Sequence, residues 1–353
     1  MAIDTVLKTI LTQPEPLAEL SDSQWDVLIH SAQRMGVLGR VQYRLAEGGF
    51  LNGVPAQPKM HLESARIVTD NERRIMGWEI NRIARALREL RFPIVLLKGA
   101  AYFITGMPVA NGRISSDIDL LVRKKDLGAV ESALLAQGWE HTKLDDYDQF
   151  YYRIWSHELP PLRHRQRGTV VDIHHTILPP TGRLHPDPQK LMAAAVAVAG
   201  SPFRVLCPPD MVLHSAAHAF QDGDLKRGLK DIVDIDDLLR YFGVNHNFWD
   251  ELMERSEELD LVRPLYYALR YSNRVLNTPI PPSIMERSRN FAPPWPVRQL
   301  MDDLIAKVLS PRFHGWPGMM YNIAASTLYV RSHWLRMPPL LLARHLVHQW
   351  LKR

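Results

Sequence analysis

Asp117-Ile118-Asp119-Leu120-Leu121-Val122 alternates acid with apolar residue and then runs apolar. This is the pattern of a short strand that buries one face and aligns two carboxylates on the other. Along such a strand the two Cα atoms stand roughly 6.5 to 7 Å apart. Both side chains can then converge on metal ions, which in two-metal sites lie about 3.5 to 4 Å from each other. All-oxygen donors suit hard divalent cations, magnesium or manganese. A third acid, Asp172, takes the same kind of position in Thr169-Val170-Val171-Asp172-Ile173-His174. If the two strands are neighbours, three carboxylates meet, and a cluster that repels itself without cations becomes stable with them. Asp117, Asp119 and Asp172 are therefore the candidate metal ligands and catalytic residues, with Asp172 the candidate general base.

Upstream, Ile94-Val95-Leu96-Leu97 reads as a buried strand running into Lys98-Gly99-Ala100, where a short helix from Ala100 to Thr105 begins. A glycine at a helix start lets backbone N–H groups approach phosphate closely, with the helix dipole assisting. Lys98, Gly99, Ala100 and Arg113 are the expected nucleotide and phosphate contacts, and Ser115 and Ser116 stand close enough to assist. His174 shares the face of Asp172, either touching nucleotide or metal or orienting a carboxylate by a hydrogen bond. An Asp-x-Asp pair alone also occurs in turns and solvated edges; Gly99 before it and Asp172 after it set this one apart.

Leu97-Lys98-Gly99-Ala100, then Arg113-Ile114-Ser115-Ser116-Asp117-Ile118-Asp119-Leu120-Leu121-Val122, then Val171-Asp172-Ile173-His174, resembles the uncharacterised nucleotidyltransferase family, within the polymerase-beta-like nucleotidyltransferase superfamily. His214 to His218 and Lys230-Asp231-Ile232-Val233-Asp234 through Leu239 resemble its helical segment. The resemblance implies an α+β fold, with a small mixed sheet flanked by helices and a mainly helical C-terminal domain. It also implies magnesium-dependent transfer of a nucleoside monophosphate, AMP the expected one, from a nucleoside triphosphate, with pyrophosphate released. The acceptor hydroxyl would belong to a protein, an RNA or a small molecule. The pattern departs from the superfamily at the phosphate turn, where Gly99-Ala100 replaces the usual Gly-Ser and the gap to the paired acids is longer.

Outward from the motifs, apolar spacing predicts helices from Ser21 to Leu45 and from Leu62 to Leu90, and strands from Ser116 to Val122, Phe150 to Leu159 and Thr169 to His174. The last two are expected to pair across Arg163 to Gly168, with Gly168 in the turn. Lys124 to Gln137 reads as a helix. Beyond Pro179, Pro180 and Gly182 the pattern becomes helical: Gln189 to Val198, Pro209 to Phe220, Leu225 to Phe242, Phe248 to Leu259, Val262 to Leu276, then a proline-rich stretch and a final helical region. The expected division is an N-terminal helical segment (1–60), a catalytic domain (61–180) and a helical domain (181–353).

A length of 353 residues, 46% of them hydrophobic and 23% charged, excludes a disordered or low-complexity class. Cys207 is the sole cysteine, so cysteine-based metal clusters and intrachain disulfides are excluded, and a reducing, cytoplasmic setting is expected. No run reaches the about 18 apolar residues needed to span a bilayer. The net charge of +5 is unevenly spread: Leu304 to Arg353 holds no acid but carries Lys307, Arg312, Arg331, Arg336, Arg344, Lys352 and Arg353 beside Trp316, Trp334 and Trp350. This region suits an anionic membrane surface, with peripheral attachment, a nucleic acid or an acidic partner, or else it is a solvated helix face with core tryptophans. It motivates the alternative of a catalytically inactive binding or regulatory module. His214 and His218 have the spacing of a zinc pair without a metalloprotease glutamate, and read better as packing or substrate contacts. Asp231 and Asp234 read equally as partners for basic groups of the catalytic half or as a solvated face. A metal phosphohydrolase is disfavoured because no His-Asp dipeptide occurs.

Overall fold

Seven short strands form one mixed sheet in a computed structural model that describes residues 5–13, 20–115, 117–142, 150–222, 225, 228–309, 318–339 and 342. They are β1 (Val95–Leu96), β2 (Asp117–Leu121), β3 (Trp139–His141), β4 (Leu162–His164), β5 (Val170–His174), β6 (Val196–Ala197) and β7 (Arg204–Val205), in the order β3-β4-β5-β2-β1-β7-β6. At the centre β2 runs parallel to β5 and antiparallel to β1, while β1 runs parallel to β7. Ile118, Leu120, Val171 and Ile173 are buried on the face opposite the acids, as their alternation predicts. With helices around this sheet and helices throughout 208–309, the architecture is α+β.

Several elements differ from expectation. The 150–159 segment is not a strand: Tyr151–Trp155 forms a single π-type turn, and only Glu158 bridges to His174. Its aromatic and β-branched residues favour a strand by propensity, yet Phe150 is 48% and Ile154 56% exposed, so the segment offers no face to bury. The partner of β5 is instead β4, which starts after Pro160 and Pro161. Gly168 does take the turn between them, at φ 72°. The 21–45 helix is two helices, Asp22–Arg34 and Leu38–Glu47, because Gly36 at φ 70° breaks the path. The 189–198 helix stops at Ala194, and the residues after it make the β6–β7 hairpin that extends the sheet beyond β1. Within the proline-rich stretch a helix Pro282–Arg289 forms, its first position taken by proline, which lacks the N–H that would go unpaired there.

The long helix Ala56–Ala86 lies against Leu38–Glu47 and against the short helix Lys98–Ile104 that follows β1. On the C-terminal side the helix Pro208–Ala217 packs among Gly228–Phe242, His246–Glu258 and Val262–Leu276. Of the basic C-terminal region, 310–317, 340–341 and 343–353 lie outside the described residues. Arg331 turns inward, donating Nη1 to the Phe220 carbonyl at 2.7 Å, while Trp334 is 45% exposed with the Arg183 guanidinium 4.9 Å over its ring. No helix among the described residues is long and apolar enough to cross a membrane.

One buried ionic cluster joins the N-terminal helices to the C-terminal side. Arg40 pairs with both Asp234 and Asp237 and donates Nη2 to the Val109 carbonyl at 2.9 Å, and Arg44 Nη2 reaches Asp237 Oδ1 at 2.6 Å. Removing one partner of such a buried set leaves an uncompensated charge. Arg40→Met is expected to lower the unfolding free energy by about 3–5 kcal/mol, read from urea denaturation of wild type and variant. An unchanged midpoint would show that Asp234 and Asp237 are neutralised without Arg40.

Candidate active site

The parallel register of β2 and β5 sets Asp119 beside Asp172, and Asp117 lies two residues before Asp119 on the same face. One oxygen from each of Asp117, Asp119 and Asp172 falls within 4.8 Å of the others. Asp172 Oδ1 is buried and has no hydrogen-bond partner among the described residues. A buried carboxylate oxygen left unpaired beside two other carboxylates is what a divalent cation would satisfy, so the donor set fits magnesium or manganese.

Electrostatics differ sharply within the trio. Burial alone would raise the Asp119 carboxyl, but the Lys98 charge and a hydrogen bond from His174 outweigh it and hold it well below the ordinary carboxylate range. Lys98 Nζ stands 3.8 Å from Asp119 Oδ2, and His174 Nε2 donates to Asp119 Oδ1 at 3.1 Å. His174 Nε2 also lies 3.4 Å from Glu158 Oε2. At Asp172 the balance is reversed: burial, then Glu158 and Asp119, outweigh the opposing pull of His174 and push its carboxyl up to about 7. His174 thus hydrogen-bonds Asp119, as the second of the two readings of its position requires.

Lys98 has φ 41°, a left-handed conformation that costs a non-glycine residue on the order of 1–3 kcal/mol. The kink leads directly from β1 into the Lys98–Ile104 helix and delivers the ammonium to Asp119. At Gly99 an added Cβ would come within 2.8 Å of the Ser115 Cβ and 2.6 Å of Arg113 Nη1, so only glycine lets the helix start lie against the 113–115 loop. Ala100 is buried in the core and does not line the cavity, while Ser116 lies outside the described residues. Arg113 is held from two sides, donating Nε to Asp234 Oδ2 at 2.8 Å and Nη1 to Ser115 Oγ.

A cavity of about 100 Å³ opens beside these groups, lined by Lys98, Gly99, Tyr102, Arg113, Asp117 and Asp119 from one side and by Ser215, His218, Lys230, Asp231 and Asp234 from the other. Tyr102 Oη and Ser215 Oγ, 2.7 Å apart, tie the two walls together. Of the two readings left open for Asp234, pairing with basic groups holds, since it is buried against Arg113 and Arg40. His214 is buried, with its imidazole kept well below the ordinary value by burial and by Lys98, and His218 faces the cavity. Sequence reasoning gave no role to Lys230, Tyr102, Ser215, Glu158 or Arg40. The available signal was four acids, at 231, 234, 236 and 237, on a helix otherwise apolar enough to be buried.

The model of a family described as uncharacterised nucleotidyltransferase matches residues 21–277, which take in every strand and both walls of the cavity. No curated protein matches the chain. A solved structure described as an antigenic nucleotidyltransferase-like protein from Paracoccidioides brasiliensis is similar over 57% of this chain and 96% of its own, at 17% identity and a TM-score of 0.32.

Two substitutions separate the charges of this site. Asp172→Asn relieves like-charge repulsion, so the metal-free protein is expected to gain about 0.5–2 kcal/mol and to show none of the rise in melting temperature that divalent cations are expected to give wild type. A loss of stability in the metal-free variant would contradict this. Asp231, raised to about 6 by burial and then by Asp234, binds protons more tightly folded than unfolded. Stability therefore falls as pH rises from the ordinary carboxylate value of 3.8 toward 6. Asp231→Asn should flatten that slope in urea unfolding across the window.

Proposed function

The chain belongs to the uncharacterised nucleotidyltransferase family, and from that premise we propose that it transfers a nucleoside monophosphate, AMP the expected one, from a nucleoside triphosphate to an acceptor hydroxyl and releases pyrophosphate. The observation that carries this reading is the in-register parallel pairing that gathers Asp117, Asp119 and Asp172 around the unpaired Asp172 Oδ1. Magnesium or manganese, when bound, supplies charge neutralisation for the triphosphate and lowers the cost of ionising the acceptor hydroxyl. Asp117, Asp119 and Asp172 are the residues that would hold it.

Asp119 is suited to hold a cation throughout, because Lys98 and His174 keep it ionised. Asp172, in register beside Asp119, takes the acceptor hydroxyl proton as the new bond to the α-phosphorus forms and the bond to the β-phosphate oxygen breaks. Gly99 admits phosphate to the helix start, and Arg113, fixed by Asp234 and Ser115, presents a pre-oriented positive edge. In this reading 61–180 supply the catalytic groups and 181–353 close the cavity over them. The acceptor belongs to one of three classes, a protein, an RNA or a small molecule.

Calorimetric titration with ATP, CTP, GTP and UTP in magnesium, comparing wild type with Asp117→Ala/Asp119→Ala, tests the reading. Magnesium-dependent binding of one nucleotide, lost by the double variant, is expected, a fall of about 100-fold or more for removal of two charged ligands. A folded wild-type protein that binds none of the four would overturn it and favour the inactive module acting through an anionic partner.

A further inference from the structure

Three cations line the cavity beside Asp117 and Asp119, and two of them are committed. Lys98 faces Asp119, and Arg113 is tied to Asp234 and Ser115. The third, Lys230, in the first turn of the Gly228–Phe242 helix, forms no ion pair within 4.0 Å among the described residues. Burial and then the neighbouring Arg113 pull its ammonium below the ordinary lysine value, while Asp234, Asp231 and Asp117 act in the opposite sense. A desolvated ammonium without a fixed counter-charge costs folding free energy, and a ligand anion would repay that cost. Lys230 stands on the helical wall of the cavity, one turn before the Asp234 that holds Arg113, while Asp117 and Asp119 line the wall formed by the sheet.

Resting on the donor-triphosphate reading above, we propose that Lys230 binds the β- and γ-phosphates of the donor and carries the charge that develops on the departing pyrophosphate. As the acceptor oxygen bonds to the α-phosphorus, the electron pair of the breaking bond goes to the pyrophosphate oxygen, next to the Lys230 ammonium. A cation there counts for more in the transition state than in the ground state, because negative charge accumulates at that oxygen only as the bond breaks. The donor thereby spans both walls of the cavity. Its reactive end meets the sheet carboxylates, and its terminal phosphates meet the helix.

The test uses the full chain in magnesium, with Lys230→Met and Lys230→Arg, titrated with ATP, AMP and inorganic tripolyphosphate. Lys230→Met is expected to weaken ATP and tripolyphosphate about 10- to 100-fold, leave AMP unchanged and melt no lower than wild type. Lys230→Arg keeps most of the affinity. Lys230→Met binding ATP and tripolyphosphate like wild type, while Asp117→Ala/Asp119→Ala loses ATP, would sink the Lys230 role and leave the donor site standing. Equal weakening of AMP and ATP would also overturn it, since AMP lacks the phosphates in question. A wild type that binds tripolyphosphate through Lys230 but no nucleotide would instead retire the nucleotide reading and keep the phosphate subsite. Should methionine unfold the chain, Lys230→Gln against Lys230→Arg carries the same comparison.

Discussion

Parallel pairing of Asp117–Leu121 with Val170–His174 in one particular register puts carboxylate next to carboxylate, and much of the surrounding structure answers the charge this creates. A shift of one residue would turn Asp172 to the opposite face and bury it among Ile118, Leu120 and the helices beneath, so the apolar residues of the two strands enforce the register that the acids would oppose. Hydrophobic burial holds together a charge arrangement that electrostatics alone would disperse. Lys98 and His174 then neutralise Asp119 locally, while at Asp172 the weaker pull of His174 is outweighed by burial, Glu158 and Asp119.

The second wall repeats the theme with the opposite balance. Asp234 and Asp237 lie in the interior because Arg40, Arg44 and Arg113 reach them, and those arginines in turn are oriented by the acids. The guanidinium fork suits this arrangement: Arg113 divides its donors between Asp234 and Ser115, and Arg40 between two carboxylates and a backbone carbonyl. The same Asp234 therefore serves as a structural counter-ion for Arg40 and as a positioning group for Arg113, so stability and site geometry are coupled at one side chain.

The central strands and the strand-to-helix turn at Lys98-Gly99 were legible in the sequence because each carries a local signature: alternation for Asp117–Leu121 and Val170–His174, an apolar run followed by Lys-Gly for the turn, although the helix expected from Ala100 starts at Lys98. Strands of two or three residues carry too little alternation to be read, which is why Leu162–His164 and the Val196–Val205 hairpin were missed while the longer aromatic segment before them was mistaken for a strand. The left-handed Lys98 was not legible because the residue type gives no hint of it. The helical wall was only half legible. Spacing showed acids on one side of a helix, but whether that side faces solvent or arginine was decided by residues from far earlier in the chain.

Arg40 and its partners are separated by 194 and 197 residues. During synthesis Arg40 leaves the ribosome long before Asp234 and Asp237 exist, and the early helices must wait with a charged side chain that has no place in a core. Their docking is consequently gated by chain length, since closing so wide a loop is slow and is rewarded only when the distant helix arrives. A chain stopped short of residue 234 would keep the catalytic strands yet lack both carboxylates that neutralise Arg40.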